Sequence, residues 1–296
     1  MGTQLSQKIT NIIIQNNFNK VYSKDDCISL GVSQSCYRNI LQKNGLKWNK
    51  KIYRKYQLNH DYFSIIDSPE KAYWLGFLFA DGHISKENSL CIQLQSRDIK
   101  NLEMLKNDLS YSGPIKERTI NNKKYFGLVI YSVKICQDLK LLGFSHNKTL
   151  NPSILKIHEN NYKVFIRGLI DGDGTIWVSK NASKFKSVVN ILLHEKIINS
   201  IELMINNFNI PISFSKTNHH RTSYLKILSF NGNRNTYELL KFLYEDQKRC
   251  LERKFDQYNK IKNYYINNPT LLQRSRRSQY QPFHYQAPHF PEPKMT

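Results

Sequence analysis

Acidic residues are scarce in this chain. Asp and Glu number 23 against 44 Lys and Arg, a formal charge of +21, and the excess runs along the whole sequence instead of sitting in one tail. A surface of that sign calls for a polyanionic partner, with counterion release supplying much of the affinity. Nucleic acid leads, and an anionic membrane surface is a distant second. Long apolar runs are missing too. No stretch approaches the roughly 18–20 residues a spanning helix needs, and the N-terminus lacks a basic-then-apolar signal pattern. The expectation is a soluble, unprocessed, intracellular protein with no membrane partner, in cytoplasm or organelle matrix. Cysteine is sparse: five residues, at 27, 36, 91, 136 and 250, never in a CxxC pair. That excludes a disulfide framework or a zinc site and fits a reducing compartment.

What is present suffices for packed cores. The 296 residues are 40% apolar and 12% aromatic, which excludes general disorder and allows two or more compact units. Residues 1–57 carry ten Lys or Arg and only two acids, Asp25 and Asp26. Helical spacing in QLSQKITNIIIQNNF and on both sides of Gly31 predicts three short helices, with Ser33 as N-cap of the third and Tyr37, Ile40 and Leu41 on its apolar face. This pattern resembles a helix-turn-helix. In such a unit Ser33, Gln34, Ser35 and Arg38 open the recognition helix toward base edges, with Lys43, Lys47, Lys50 and Lys51 against phosphates; the bland alternative is a three-helix cap with a solvated basic face. Residues 267–296 mix RSRRS with Pro, His and aromatics, without period, and read as a basic, disordered tail.

Between these ends lies a repeat. WLGFLFADG (74–82) is echoed by IRGLIDGDG (166–174), so Gly76, Asp81 and Gly82 correspond to Gly168, Asp173 and Gly174, 92 residues later. Behind each copy the periodicity gives the same order: helix, two strands, helix, two strands, helix. The fold class is therefore α+β, in two halves at 58–150 and 151–266, each with an antiparallel sheet covered on one face by helices.

The motif chemistry follows from the residue types. Ser68 and Pro69 suit a helix start, and Ala72–Ala80 is apolar on every side, so that helix is buried. Glycine inside a helix costs about 1 kcal/mol relative to alanine. Gly76 and Ala80, like Gly168 and Gly172, thus form a small-residue stripe that lets a second helix approach. Two such helices side by side bring Asp81 and Asp173 together, and neighbouring carboxylates call for a cation. Carboxylates, waters and phosphate oxygens are what magnesium prefers, and metal-assisted phosphodiester hydrolysis is the expected reaction. A lone DG is an ordinary turn dipeptide; its repetition inside two matching motifs argues against that reading.

WLGFLFADG and IRGLIDGDG resemble the paired motifs of single-chain LAGLIDADG homing endonucleases, over roughly residues 60–262 with SPEKAYWLGFLFADG and CLERKFDQYNKI included. The resemblance implies a duplicated αββαββα fold, a pseudo-twofold monomer whose two sheets form a saddle over double-stranded DNA. It implies a long, near-asymmetric target cut in both strands with short 3′ overhangs, using Mg2+ or Mn2+. By position, Asp81 and Asp173 become metal ligands, with carbonyls of Gly82 and Gly174 adjacent. Lys148 in GFSHNKT takes the place of a lysine near the scissile phosphate, with Lys248, or its rival Arg249, in the second half. Gln95 is the water-positioning candidate, and the second half offers only Leu193 and His194 there. Asp171 stands where the first copy has Phe79 and reads as a solvated or capping carboxylate.

For the groove-facing strands the polar candidates are Gln93, Arg97, Lys116, Arg118, Lys123 and Lys124, then Lys180, Lys184, Lys186, Lys216, Asn218, Arg221 and Lys226. Period-2 alternation assigns their faces only approximately. Trp177 fits core or rim. His83, His194, His219 and His220 lack metal-ligand spacing. Family members also assist splicing of their own introns, so intron RNA stands as a second partner class; a non-cleaving DNA-binding regulator is a third reading.

Overall fold

The computed structural model describes residues 7–17, 24–46, 55–144, 152, 156–181, 184–219, 222–245 and 248–273, the side chains of 16, 17, 24–26, 180, 181 and 184 excepted. Its contacts divide the chain into two compact units, Met1–Gln57 and Leu58–Thr296.

The first unit holds α1 (Gln7–Asn17), α2 (Lys24–Ser29) and α3 (Gln34–Lys43). Ile13, Cys27, Tyr37 and Leu41 form its core. Gly31 adopts φ +65°, and the amides of Gly31 and Val32 return to the carbonyls of Ile28 and Cys27, a Schellman stop that only a left-handed residue closes cheaply. Ser33 then caps α3 by accepting from the Cys36 amide at 3.1 Å.

The second unit runs α4 (Pro69–Asp81), β1 (His83–Ile84), β2 (Ser89–Gln95), α5 (Ile99–Asp108), β3 (Lys116–Ile120), β4 (Lys123–Tyr131) and α6 (Val133–Leu141). The order repeats as α7 (Tyr162–Asp173), β5 (Gly174–Asn181), β6 (Lys184–His194), α8 (Glu195–Asn206), β7 (Ser215–Asn218), β8 (Leu225–Asn231) and α9 (Asn233–Tyr244). The αββαββα duplication is thus present, with antiparallel sheets ordered β1-β2-β4-β3 and β5-β6-β8-β7. Two helices follow, α10 (Glu252–Ile266) and α11 (Thr270–Gln273). The latter corrects the tail reading at its start, because Thr270–Gln273 is helical; residues 274–296 lie outside the described ones.

Each sheet buries one face. Leu90, Ile92, Leu128 and Ile130 point to one side of the first sheet, where Leu102, Leu105, Ile135 and Leu139 of α5 and α6 are buried with them. Val189, Ile191, Leu228 and Phe230 do the same in the second, with Ile197, Ile201, Leu239 and Leu240 of α8 and α9. Among the described residues of this unit, no helix packs on the opposite face of either sheet.

The halves join through α4 and α7. Ser68 caps α4 from its N-terminal side, and Ala72–Phe79 are all buried. A Cβ placed on Gly76 would lie 2.0 Å from the Phe165 carbonyl oxygen, and one on Gly168 would lie 2.2 Å from that of Tyr73. Shifted by 92 residues, Tyr73 becomes Phe165 and Gly76 becomes Gly168, so these are one contact repeated about a pseudo-twofold axis. Backbone meets backbone, and no side chain can rotate out of the way. Gly76→Ala and Gly168→Ala should therefore each cost at least the 1–3 kcal/mol typical of overpacking, read as a lowered urea midpoint at unchanged slope; a loss below 0.5 kcal/mol would show that the helices slide apart freely.

Candidate functional site

Asp81 and Asp173 are the last residues of α4 and α7, and both are exposed. Each helix stops because the next glycine turns extended, Gly82 at φ −77°, ψ 155° and Gly174 at φ −76°, ψ 157°, while their amides close the last turns on Leu78 and Ile170. The same glycine contacts bring the two ends together. A Cβ on Gly172 would touch Ala80 Cβ at 2.2 Å and stand 3.5 Å from Asp81 Oδ2, so the Asp81 carboxylate lies beside the final turn of the partner helix. Both acids sit where helix dipoles are already negative, an arrangement that favours a cation.

One cation is supplied by the chain. Lys254 of α10 is 3% exposed, and its Nζ donates to the carbonyls of Ile170, Asp171 and Gly174, the latter two at 2.6 Å. It caps the C-terminus of α7 from below. Burial pulls its pKa down to about 8, against the opposing pull of Asp171, Asp81 and Asp173. The Gly174 carbonyl, a metal-ligand candidate, thus has one lone pair engaged by a buried ammonium.

Asp171 is corrected. It is fully buried, neither solvated nor capping, and accepts from Tyr73 Oη at 2.9 Å, Tyr244 Oη at 2.5 Å and the Leu251 amide at 2.7 Å. Desolvation raises its pKa, with Lys254 as the largest opposing influence. The pseudo-twofold explains the pair. In one half Phe79 packs on Phe165 and Phe144; in the other, Asp171 bonds Tyr73 and Tyr244 at the corresponding places. An aromatic cluster has become a hydrogen-bonded one.

Of the basic candidates, Arg249 is engaged away from the helix ends. Lys248 is exposed. Arg249 grips Asp108 of the first half through Nε at 2.9 Å and Nη2 at 2.8 Å, and Trp74 Nε1 donates to the same carboxylate at 2.6 Å. It is a tie between halves. Lys148 lies outside the described residues, as do Lys47, Lys50, Lys51, His220 and Arg221.

Register sorts the remaining candidates. On the first sheet, Gln93 faces Gly127, which faces Lys116, and Gln95 faces Tyr125, which faces Arg118. These side chains share the open face, and Asp81, His83, Gln93, Lys116 and Arg118 line a cleft of about 310 Å³ there. His83 opposite Cys91 sets Asp81 level with Gln93, so Gln95 stands about 7 Å further along the strand and outside that lining. On the second sheet, Gly174 opposite Ile191 sets Asp173 level with Leu192. Its cleft, about 210 Å³, includes Leu192, Leu193, His194 and Leu225; His194 is spent on capping α8 through the Lys196 amide.

Four candidates lie off the open faces. Lys124 shares the helix-covered side with Phe126 and pairs with Glu117 at 2.9 Å. Lys216 lies opposite buried Leu228 and reaches Glu202 of α8 at 3.0 Å. Lys226 lies opposite buried Leu193 and bonds Asn218. Arg97 lines a groove of about 400 Å³ with Lys100, Glu252 and Phe255, between α5 and α10. The three strand lysines were misplaced because alternation cannot tell the covered face from the open one; Arg97 lies past the end of β2, in the turn Ser96–Asp98. Lys186 is exposed on the open parity of β6, and Trp177 is there too, 48% exposed. The side chain of Lys180 is outside the described ones. On α3, Gln34 is half-buried while Ser35 and Arg38 are exposed, and Ser33 is occupied as the cap.

Among the described residues no three His, Cys, Asp or Glu gather as a metal cluster. The donor set at the helix ends is two carboxylates, and further ligands would have to be water or substrate oxygens, as a hard divalent ion accepts. No described helix is long and apolar enough to cross a membrane.

No family model and no curated protein matches the chain. Solved structures similar to it include the LAGLIDADG homing endonuclease I-GzeII in complex with its DNA target (14% identity, 69% of this chain and 92% of that one, TM-score 0.46). I-LtrWI bound to target DNA is similar at 14% identity over 72% and 92%, TM-score 0.46. I-SmaMI bound to uncleaved DNA in the presence of calcium ions is similar at 12% identity over 69% and 93%, TM-score 0.45.

The Asp108 tie gives a pH test. Burial opposes its ionisation, but the hydrogen bonds from Arg249 and Trp74 win and hold its pKa below the ordinary 3.8. A depressed carboxylate stabilises the fold above its unfolded pKa and loses that contribution as pH falls through the folded one. Asp108→Asn should cost about 1–3 kcal/mol at neutral pH, and the gap to wild type should close below pH 3.8; urea titrations across that range that keep a constant gap would contradict the assignment.

Proposed function

We propose that the chain is a site-specific endonuclease of double-stranded DNA, cutting one phosphodiester in each strand and leaving short 3′ overhangs. The observation that carries this reading is the juxtaposition of Asp81 and Asp173 at paired helix ends, between two sheets whose open faces lie uncovered beside them. The motif resemblance points the same way. The duplex lies along both open faces, so that its two scissile phosphates flank the helix ends.

In this reading Asp81 and Asp173 hold magnesium, for which manganese can substitute. The ion's contribution when bound is positive charge for the attacking water and the leaving oxygen. The chain's own groups do the rest. Lys254 sets a positive charge against the carbonyl end of α7, beside the motif carboxylates. Gln93, level with Asp81, is placed to orient a water, a role assigned here in preference to Gln95. Lys116 and Arg118 bind backbone or base edges in the same cleft. Lys148 remains the candidate for contact with a scissile phosphate. The N-terminal unit adds Ser35 and Arg38 of α3 to a neighbouring stretch of duplex. The partner is long duplex DNA, and a monomer suffices because both halves lie in one chain.

Asp81→Asn and Asp173→Asn should each abolish double-strand cleavage of a target plasmid by several orders of magnitude, while gel-shift affinity stays within about tenfold because the contact surfaces remain. Full linearisation by the double variant would sink the proposal.

A further inference from the structure

The two open faces differ in chemistry. The first carries Gln93, Gln95, Lys116, Arg118 and Lys123, all exposed. Among the described residues the second carries one basic side chain, Lys186. Its apolar members form two cross-strand pairs, Trp177 opposite Val188 and Ile227 opposite Leu192. The polar row Thr175, Asn190 and Ser229 separates them, and the Asn190 Oδ1 is buried without a hydrogen-bond partner among the described residues. Leu192 also lines the cleft that holds Asp173, so the second pair adjoins the second acidic end. Among the described residues of this unit no helix packs on that face, and an indole 48% exposed on a strand calls for an occupant.

Given the DNA-cleaving reading, on which this inference rests, we propose that the target's halves differ in composition in a stated direction. The half over β5–β8 is rich in A·T pairs, with thymine methyl groups against Trp177, Val188, Leu192 and Ile227 and adenine opposite Asn190. The half over β1–β4 contains guanine opposite Arg118 and Lys116, with adenine opposite Gln93 and Gln95. The physical basis is the major-groove code: apolar side chains discriminate only the thymine methyl, Asn and Gln match adenine, and Arg and Lys match the acceptor pair of guanine. The first half should also carry more of the salt dependence, since its face holds more cations.

The test is a binding selection from a randomised duplex library, using the full chain with Asp81→Asn and Asp173→Asn to prevent cutting. The expected consensus has one A·T-rich half and one guanine-containing half. Arg118→Ala should relax preference only in the guanine-containing half, roughly tenfold at one position, which anchors each half to its sheet. Replacing thymine by deoxyuridine in the A·T-rich half should weaken binding about fourfold per removed methyl in contact, and Trp177→Ala should diminish that penalty. A consensus whose halves have equal composition, an A·T-rich half that responds to Arg118→Ala, or a deoxyuridine penalty equal in both halves overturns this inference and leaves the endonuclease reading standing. Enrichment of no duplex sequence at all overturns both.

Discussion

The approach of two helix backbones at Gly76 and Gly168 governs everything that follows in the second unit. A methyl group at either position would enter a carbonyl oxygen of the opposite helix, so α4 and α7 can be this close only with glycine there. The helix propensity lost at each glycine, about 1 kcal/mol, is offset by burial of Tyr73, Trp74, Phe77, Phe165 and Leu169 around the contact. Close packing at the midpoint carries the helix ends with it. Gly172 against Ala80 sets the separation of the last turns, and the two terminal aspartates follow.

Bringing acids to the carbonyl ends of helices is electrostatically adverse, and the fold answers it from outside the duplicated unit. Lys254 belongs to α10, which has no counterpart among the described residues of the first half, and its ammonium collects carbonyls from the last turn of α7. Arg249 and Arg253, from the same segment, reach Asp108 and Asp98 of the first half. The C-terminal helix therefore does two things at once. It compensates the acidic end and fastens the halves across their junction.

The motif repeat was legible because its residue types are improbable without a contact: glycine inside an apolar helix twice, followed twice by Asp-Gly. The element order was legible for the same reason, since periods of two and of 3.6 survive in the residues themselves. Sheet faces were not. Lys124, Lys216 and Lys226 alternate as properly as Lys116 and Arg118, and only register against Phe126, Leu228 and Leu193 shows which side the helices cover. Lys254 was missed because CLERKF reads as a solvated helix start. A signal was present: Leu251, Lys254, Tyr258, Ile261 and Tyr265 fall at spacings of three and four, so the lysine stands within the buried stripe of α10. Asp171 was misread because its partners Tyr73 and Tyr244 lie 98 and 73 residues away.

At the glycine backbone contact the two halves have stayed alike; where they face outward, they have diverged. The glycine contact is the same contact twice, because either copy of it fails if its glycine is lost. The position of Phe79 and Asp171 tolerated change because its partners changed along with it, Phe165 against Tyr73, leaving one cluster dry and the other hydrogen-bonded. The open faces carry no such mutual constraint. Gln93 and Leu192 occupy the same place beside equivalent aspartates, one polar and one apolar. Duplication thus supplied a scaffold whose backbone contact is bound to remain symmetric, while the surfaces that meet a partner were free to become two different surfaces.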